Sequence, residues 1–231
     1  TLEFDAVNGK KYYLSKRVQL INWSTKQSKQ TNSNNDYCYI HDSNGVMMSI
    51  VIDVIALKKT PPIDYELTSR TFALVIFKEI HYQLSIGKID IPAFVQNIRN
   101  AVLSMRQFAI YRCCYSLVIL DKNMGMAHLI SLGDCLISFN PPLNKIQNQI
   151  FQPHHLSESP NHVYKCFSVR KLHEPEYKMM QLNFKKLYIA TDGYWLNDET
   201  DDASCLELDI EQFINQHTCS GSHITSNLYY I

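Results

Sequence analysis

The chain has no run of apolar residues near the roughly 18 that a membrane-crossing helix needs, so no transmembrane helix is expected. It has no excess charge: 22 Lys and Arg stand against 22 Asp and Glu. No net field therefore draws in nucleic acid or an anionic membrane, and neither is expected as a partner. It has no Cys-x-x-Cys pair. Its seven cysteines are an odd number, and Cys38, Cys113, Cys114, Cys135, Cys166 and Cys205 lie in apolar stretches. That pattern fits reduced core thiols of a cytosolic compartment better than a disulfide framework. Cys113-Cys114 runs into the apolar Tyr115-Ser116-Leu117-Val118 and lacks a loop that would cradle phosphate, so no covalent nucleophile is apparent. The start, Thr1-Leu2-Glu3-Phe4-Asp5, is not a basic-then-apolar signal segment. A cytoplasmic location is the expectation, with delivery to another cell left open. There is no internal repeat and no low-complexity segment. With 231 residues, 45% of them hydrophobic, the chain is expected to form one domain with a sizeable core, about residues 10–210, and a tail over 211–231.

What the chain has is aspartate at the ends of strand-like runs. Lys186-Leu187-Tyr188-Ile189-Ala190-Thr191 is nearly all apolar and stops at Asp192-Gly193. Ser49-Ile50-Val51-Ile52 closes on Asp53, and Leu129-Ile130-Ser131-Leu132-Gly133 on Asp134. Asn35-Asp36 precedes Tyr37-Cys38-Tyr39-Ile40, and Asp201-Asp202 precedes the alternating Ala203-Ser204-Cys205-Leu206-Glu207-Leu208. Short apolar runs of this kind predict buried strands. A carboxylate at the mouth of a buried strand is costly unless paired or hydrogen-bonded. Hard oxygen ligands suit Mg²⁺ or Mn²⁺ rather than zinc.

In this order the segments resemble the metal-dependent protein phosphatases of the 2C type, as a divergent, bacterial-like member. The matching segments are Asn34-Asn35-Asp36, Asp53-Val54, Gly133-Asp134-Cys135, residues 191–195 and residues 201–204. The resemblance spans roughly residues 10–210. It implies an α+β fold, a four-layer α-β-β-α sandwich with two central antiparallel sheets flanked by helices. It implies hydrolysis of phosphoserine or phosphothreonine in a phosphorylated protein substrate, by a water activated between two Mn²⁺ or Mg²⁺ ions. By position, Asp53 would bridge the metals, and the Val54 carbonyl would help hold one. Asp192 and Asp201 would complete the inner shell. Asp36 would act through water, and Asp134 matches the position of a third, looser metal. Asp36, Asp53 and Asp192 are the residues expected to carry catalysis.

The chain also departs from the family's pattern. Asp-Gly-x-Gly-Gly is replaced by Asp53-Val54-Ile55-Ala56-Leu57, and the family's flanking histidine is absent. Thr31 stands where the family has a phosphate-gripping arginine, with Lys26 and Lys29 nearby. Asp192 and Asp201 lie only nine positions apart, too few for the helices that usually intervene. A rival placement of the last motif is Ser222-His223-Ile224-Thr225. These losses support a second reading, a pseudophosphatase acting as a binding or regulatory module.

Along the chain, strands are expected at residues 11–20, 36–41, 46–53, 115–120, 126–132 and 135–139. Turns fall at 42–45 and 121–125, and Pro61-Pro62 breaks the chain. Residues 64–85 predict a helix buried nearly all round at 74–77. Asp90-Ile91-Pro92 starts a second, with Ile91, Phe94, Val95, Ile98, Val102 and Met105 on one face. Residues 141–161 read as irregular, 162–186 resist placement, and residues after Asp209 show a short helical pattern and a final apolar run. His154-His155, in a polar loop, is expected to be solvated, and Trp195 to be a packing residue.

Overall fold

The computed structural model describes residues 10–13, 21–30, 33–55, 64–105, 112–143, 145–156, 158–215, 224–225 and 228–230. Two short strands, β1 (Lys10–Tyr13) and β2 (Ile21–Lys26), come first. A hairpin follows, β3 (Asp36–Ser43) and β4 (Val46–Val54). Its turn places Asn44 and Gly45 at φ 53° and 81°. Positive φ at both central residues is what a two-residue hairpin turn requires.

Helices α1 (Tyr65–Ser85) and α2 (Ile91–Leu103) come next. Each is capped by an aspartate: Asp64 accepts from the Leu67 N–H and Asp90 from the Ala93 N–H. Those bonds satisfy donors that a first helical turn leaves open. The chain continues through β5 (Arg112–Asp121), β6 (Met126–Leu132) and β7 (Leu136–Ser138). A small hairpin, β8 (His155–Leu156) and β9 (Ser159–Val163), precedes β10 (Phe167–Ser168) and β11 (Glu176–Gln181). Last come β12 (Lys186–Ala190), the one-turn α3 (Asp192–Trp195), β13 (Ala203–Asp209), α4 (Ile210–Asn215), β14 (Ile224–Thr225) and β15 (Leu228–Tyr230).

The strands form two large sheets. One has the order β1-β2-β13-β12-β7 and is antiparallel throughout. The other has the order β11-β6-β5-β4-β3-β15-β14, with β10 also on β5; only β15 beside β3 is parallel. Trp23, Ile189 and Leu206 of the first sheet meet Cys38, Val51, Val118 and Leu129 of the second in a dry inner core. The outer face of the second sheet packs Ile50, Ile52, Tyr115 and Ile119 under Phe72, Ile76, Phe94 and Ile98 of the two long helices. With both faces covered, β4 and β5 read as continuous apolar runs rather than alternating ones.

The α+β sandwich with two central antiparallel sheets is thus present, and its helices flank it unequally. Over the first sheet α3 and Leu143 cover Leu136, Ala190 and Cys205. Elsewhere that outer face carries half-buried polar residues such as Asn22, Ser24 and Glu207. The short step from Asp192 to Asp201 leaves no room for a longer helix there. Leu74 and Val75 of α1 are only half-buried, so this helix buries one face rather than its whole girth. The expected strand over 11–20 is seen at Lys10–Tyr13; residues 14–20 and Pro61-Pro62 lie outside the described residues. Residues 155–181 hold four strands that the sequence does not announce. The reason is clearest for β11, an edge strand on β6 whose Glu176, Lys178, Met179 and Gln181 are exposed. A charged, one-sided edge lacks the apolar alternation of a buried strand.

Candidate metal centre

Five aspartates converge at one end of the sandwich. Asp36 opens β3, Asp53 lies one residue before the end of β4, and the two are ladder partners. Asp53 is also the ladder partner of Cys114 in β5. Asp134 follows β6 after Gly133, Asp192 starts α3 directly beyond β12 and Thr191, and Asp201 lies just before β13. One carboxylate oxygen from each of Asp53, Asp134 and Asp192 lies within 4.8 Å of the others. Asp36 is buried beside Asp53 on the neighbouring strand, while Asp201 is exposed at the rim.

Burial and mutual repulsion push these acids toward the protonated state. Asp192 is raised to about 8, first by burial and then by Asp134, Asp201 and Asp36. Asp36 is raised to about 7 by burial, with hydrogen bonds from Ser204 and Thr191 working the other way. Asp53 is driven well above the usual carboxylate range by burial, then by Asp36, Asp192, Asp134 and Asp201. Burial also raises Asp134, opposed by a hydrogen bond from Cys114 and by the nearby His155. Asp201, exposed along its outer edge, is also raised, first by the partial desolvation of its carboxyl and then by Asp202, Asp198 and Asp134. Buried like charges at this separation favour the neutral form unless a cation compensates them. Asp134 Oδ1 is buried and has no hydrogen-bond partner among the described residues. A buried, partnerless carboxylate oxygen on a residue whose carboxylate meets two others suits the donor set of a hard divalent cation. The residues therefore fit such an ion.

A hydrogen-bonded frame fixes the acids. Thr191 Oγ1 donates to Asp36 Oδ2 at 2.9 Å and accepts from the Ser204 N–H at 3.0 Å. The Asp36 N–H donates to Asn34 Oδ1 at 2.9 Å, and Asn34 Nδ2 to Thr25 Oγ1 at 2.6 Å. Asp202, 5% exposed, grips two backbones at once, accepting from the Ser28 N–H at 2.7 Å and the Asn35 N–H at 2.8 Å. The Gly193 N–H holds Asp192 Oδ1 at 2.9 Å, and Trp195 Nε1 holds the Asp134 carbonyl at 2.9 Å. Two glycines are obligatory here. At Gly133, φ is +103° and a Cβ would strike the Cys114 side chain. At Gly193 a Cβ would strike the Asp202 carbonyl.

The structure thus brings Asp53, Asp134 and Asp192 together, with Asp36 and Asp201 beside them. Val54 continues β4, its side chain in the helix-side core and its N–H on the Asn35 carbonyl at 3.1 Å. Only Asn44 and Asn197 have positive φ among described non-glycine residues, so Val54 needs no glycine-like backbone. Thr31, Ala56, Leu57 and Ser222-His223 lie outside the described residues; Ile224 and Thr225 pair with β15 at the edge of the second sheet. Lys26 pairs with Ala203 in the first sheet, and Lys29 is an exposed loop residue.

The sequence reading missed three contributors. His154 is not solvated but 4% exposed, its Nδ1 accepting from the Gly133 N–H at 3.0 Å. His155 lies against Trp195 with ring centroids 5.6 Å apart. Asp202 is a clamp rather than a spare acid. The doubled Asp201-Asp202 was a signal for the last; the histidines gave none, because the partners of His154 and His155 are 21 and 40 positions away in sequence.

No protein-family model matches the chain, and no curated protein matches it by sequence. Solved structures do match by shape. The serine/threonine phosphatase Stp1 from Staphylococcus aureus superposes with a TM-score of 0.58 at 11% identity, over 90% of this chain and 97% of its own. A bacterial serine phosphatase gives 0.58 at 13% identity, over 82% and 97%. RsbX in complex with magnesium gives 0.52 at 10% identity, over 90% and 98%. The chain has the fold of the 2C-type serine/threonine phosphatases. At these identities the likeness concerns the fold alone, and the acids above are this chain's own. No described helix is long and apolar enough to cross a membrane.

Proposed function

We propose that this chain is a metal-dependent protein phosphatase that hydrolyses phosphoserine or phosphothreonine. The observation that carries the reading is the meeting of Asp53, Asp134 and Asp192 within 4.8 Å at the end of a phosphatase-type sandwich. Asp53, Asp134 and Asp192 are the direct ligands in this reading. Asp201 and the Val54 carbonyl complete the set, and Asp36 acts through water. Mn²⁺ or Mg²⁺, when bound, supplies charge for the phosphoryl oxygens and an acidified water. The chain's own part is to hold five carboxylates on two rigid sheets, so that little reorganises as charge develops. Thr191 and Ser204 keep Asp36 oriented, and Trp195 keeps the Asp134 loop down over Cys114.

The deciding experiment is phosphate release from a phosphothreonine peptide, with Mn²⁺ and with chelator, for the natural chain and for Asp192→Asn. Metal-dependent release that disappears in the variant supports the reading. The altered second motif, Asp53-Val54, favours a rival in which the fold serves as a binding module. Absence of release with either metal across several phosphopeptides would leave that rival standing.

A further inference from the structure

Five cations gather around β10. Lys165, Arg170 and Lys171 belong to its own segment. Arg112 is the ladder partner of Ser168, and its Nε donates to Cys166 Sγ at 3.3 Å. Arg99 reaches across from α2, donating through Nε to the Val169 carbonyl at 3.0 Å. None of the five makes an ion pair among the described residues, whose pairs are Lys88–Asp90, His154–Glu176 and Lys186–Glu207. Arg112, Arg170, Lys171 and Leu172 are exposed, and Lys165 and Arg99 are half-buried. Glu174 and Glu176 follow on the same segment, but Glu176 turns toward His154 at 3.5 Å. In a chain with no net charge this is a local surplus, not the overflow of a basic composition.

One end of this surplus, Arg112, lies beside the acid centre, and the rest leads from it along β10 toward α2. The Ile55 N–H donates to the Arg112 carbonyl at 3.1 Å, carrying the β4–β5 ladder past Asp53–Cys114 and Val54–Cys113. Side chains two apart in a strand share a face. Arg112 therefore stands on the face of Cys114 and Asp53, roughly 7 Å along the strand from Cys114. An anionic centre with Arg112 beside it, and a cationic strip running from Arg112 past β10 to Arg99, suit an extended ligand whose own charge is arranged to match. We propose that the β10 strip docks acidic residues flanking the phosphorylated side chain of a protein substrate. At roughly 3.3 Å per extended residue, Arg112 is in reach of a position about two residues from the phosphorylated side chain, and the other cations of positions further along. This rests on the phosphatase reading above.

The test uses the Mn²⁺-loaded chain and two phosphothreonine peptides, one with acidic flanks and one with glutamine in their place, compared by fluorescence anisotropy. Exposed surface pairs are individually weak, so the expected preference for the acidic peptide is about three- to tenfold, shrinking as salt rises. A double variant, Arg170→Gln with Lys171→Gln, changes only exposed side chains outside the acid centre. It should lose most of the preference, while Mn²⁺ stabilisation and release from p-nitrophenyl phosphate stay as in the natural chain. Equal binding of the two peptides, or a preference that survives in the double variant, overturns the proposal. So does tighter, variant-sensitive binding of phosphatidylserine vesicles or of an RNA oligomer. If p-nitrophenyl phosphate is not hydrolysed yet the acidic preference persists and is variant-sensitive, the docking surface is supported and the phosphatase reading is the part that fails.

Discussion

Asp36 and Asp53 face each other across the β3–β4 ladder, two carboxylates in register on one hairpin. Like charges directly opposite in a sheet destabilise it. Asp134 adds a third acid from the end of β6, and Asp192 a fourth from the end of β12 in the other sheet. The cluster thus spans the seam between the sheets, and whatever neutralises it also fastens them.

A divalent cation should therefore act as a staple. Mn²⁺ in hundredfold excess over its Kd is expected to stabilise the natural chain by about 3 kcal/mol through linkage. Asp53→Asn and Asp192→Asn should lose that gain. Thermal unfolding with Mn²⁺, and again with chelator, measures both. An unchanged gain in Asp192→Asn would remove the residue from the centre.

Without metal, stability should fall as pH rises. Asp36 and Asp192 have folded-state values near 7 and 8, above their value of 3.8 when unperturbed. A carboxyl raised on folding binds more protons folded than unfolded, so it favours the fold at low pH. That contribution is complete below about pH 4 and is lost as pH passes through 7 and 8. Chelator-treated protein should be more stable at pH 5 than at pH 8.5, and Asp192→Asn should flatten the slope. Denaturant unfolding across that range checks it; a slope of opposite sign refutes the repulsion argument.

Asp202 should matter through position. Asp202→Ala leaves the buried Ser28 N–H and the half-buried Asn35 N–H without their acceptor, at a cost of about 1–3 kcal/mol. It should also weaken Mn²⁺ binding, because Asn35 leads directly into Asp36. Asp202→Asn keeps an acceptor and should recover much of both. Metal affinity that stays natural in Asp202→Ala would show the clamp to be structural only.

Gly133→Ala combines positive φ with overlap against Cys114. We expect a loss of about 3 kcal/mol or more. Cys114→Ala in the same chain removes the sulfur from the overlap and should restore part of the loss, which denaturant midpoints would reveal.

Much of the acid cluster was legible in the sequence because each acid borders an apolar run, at its end or just before its start. Asp53, Asp134 and Asp192 are visible this way, as are the strands that carry them. Asp202 was hidden behind its neighbour, since adjacent acids look alike until their hydrogen bonds are known. His154 was misplaced because a polar, proline-containing loop normally lies in water. Here the loop folds back onto Gly133, and the ring is buried by a contact 21 residues distant. β11 went unseen because an edge strand needs no apolar alternation.

By itself the sequence determined the periodicities: paired strands, two capped helices, glycines at tight approaches, and aspartates where strands stop. These are local properties, set by backbone sterics and by where apolar side chains recur. Only the tertiary structure decided that Asp53, Asp134 and Asp192 meet within 4.8 Å, and that five cations collect around β10 with Arg112 nearest the acids. Those outcomes depend on sheet register and on the packing of one sheet over the other, which join residues as far apart in sequence as Asp53 and Asp192.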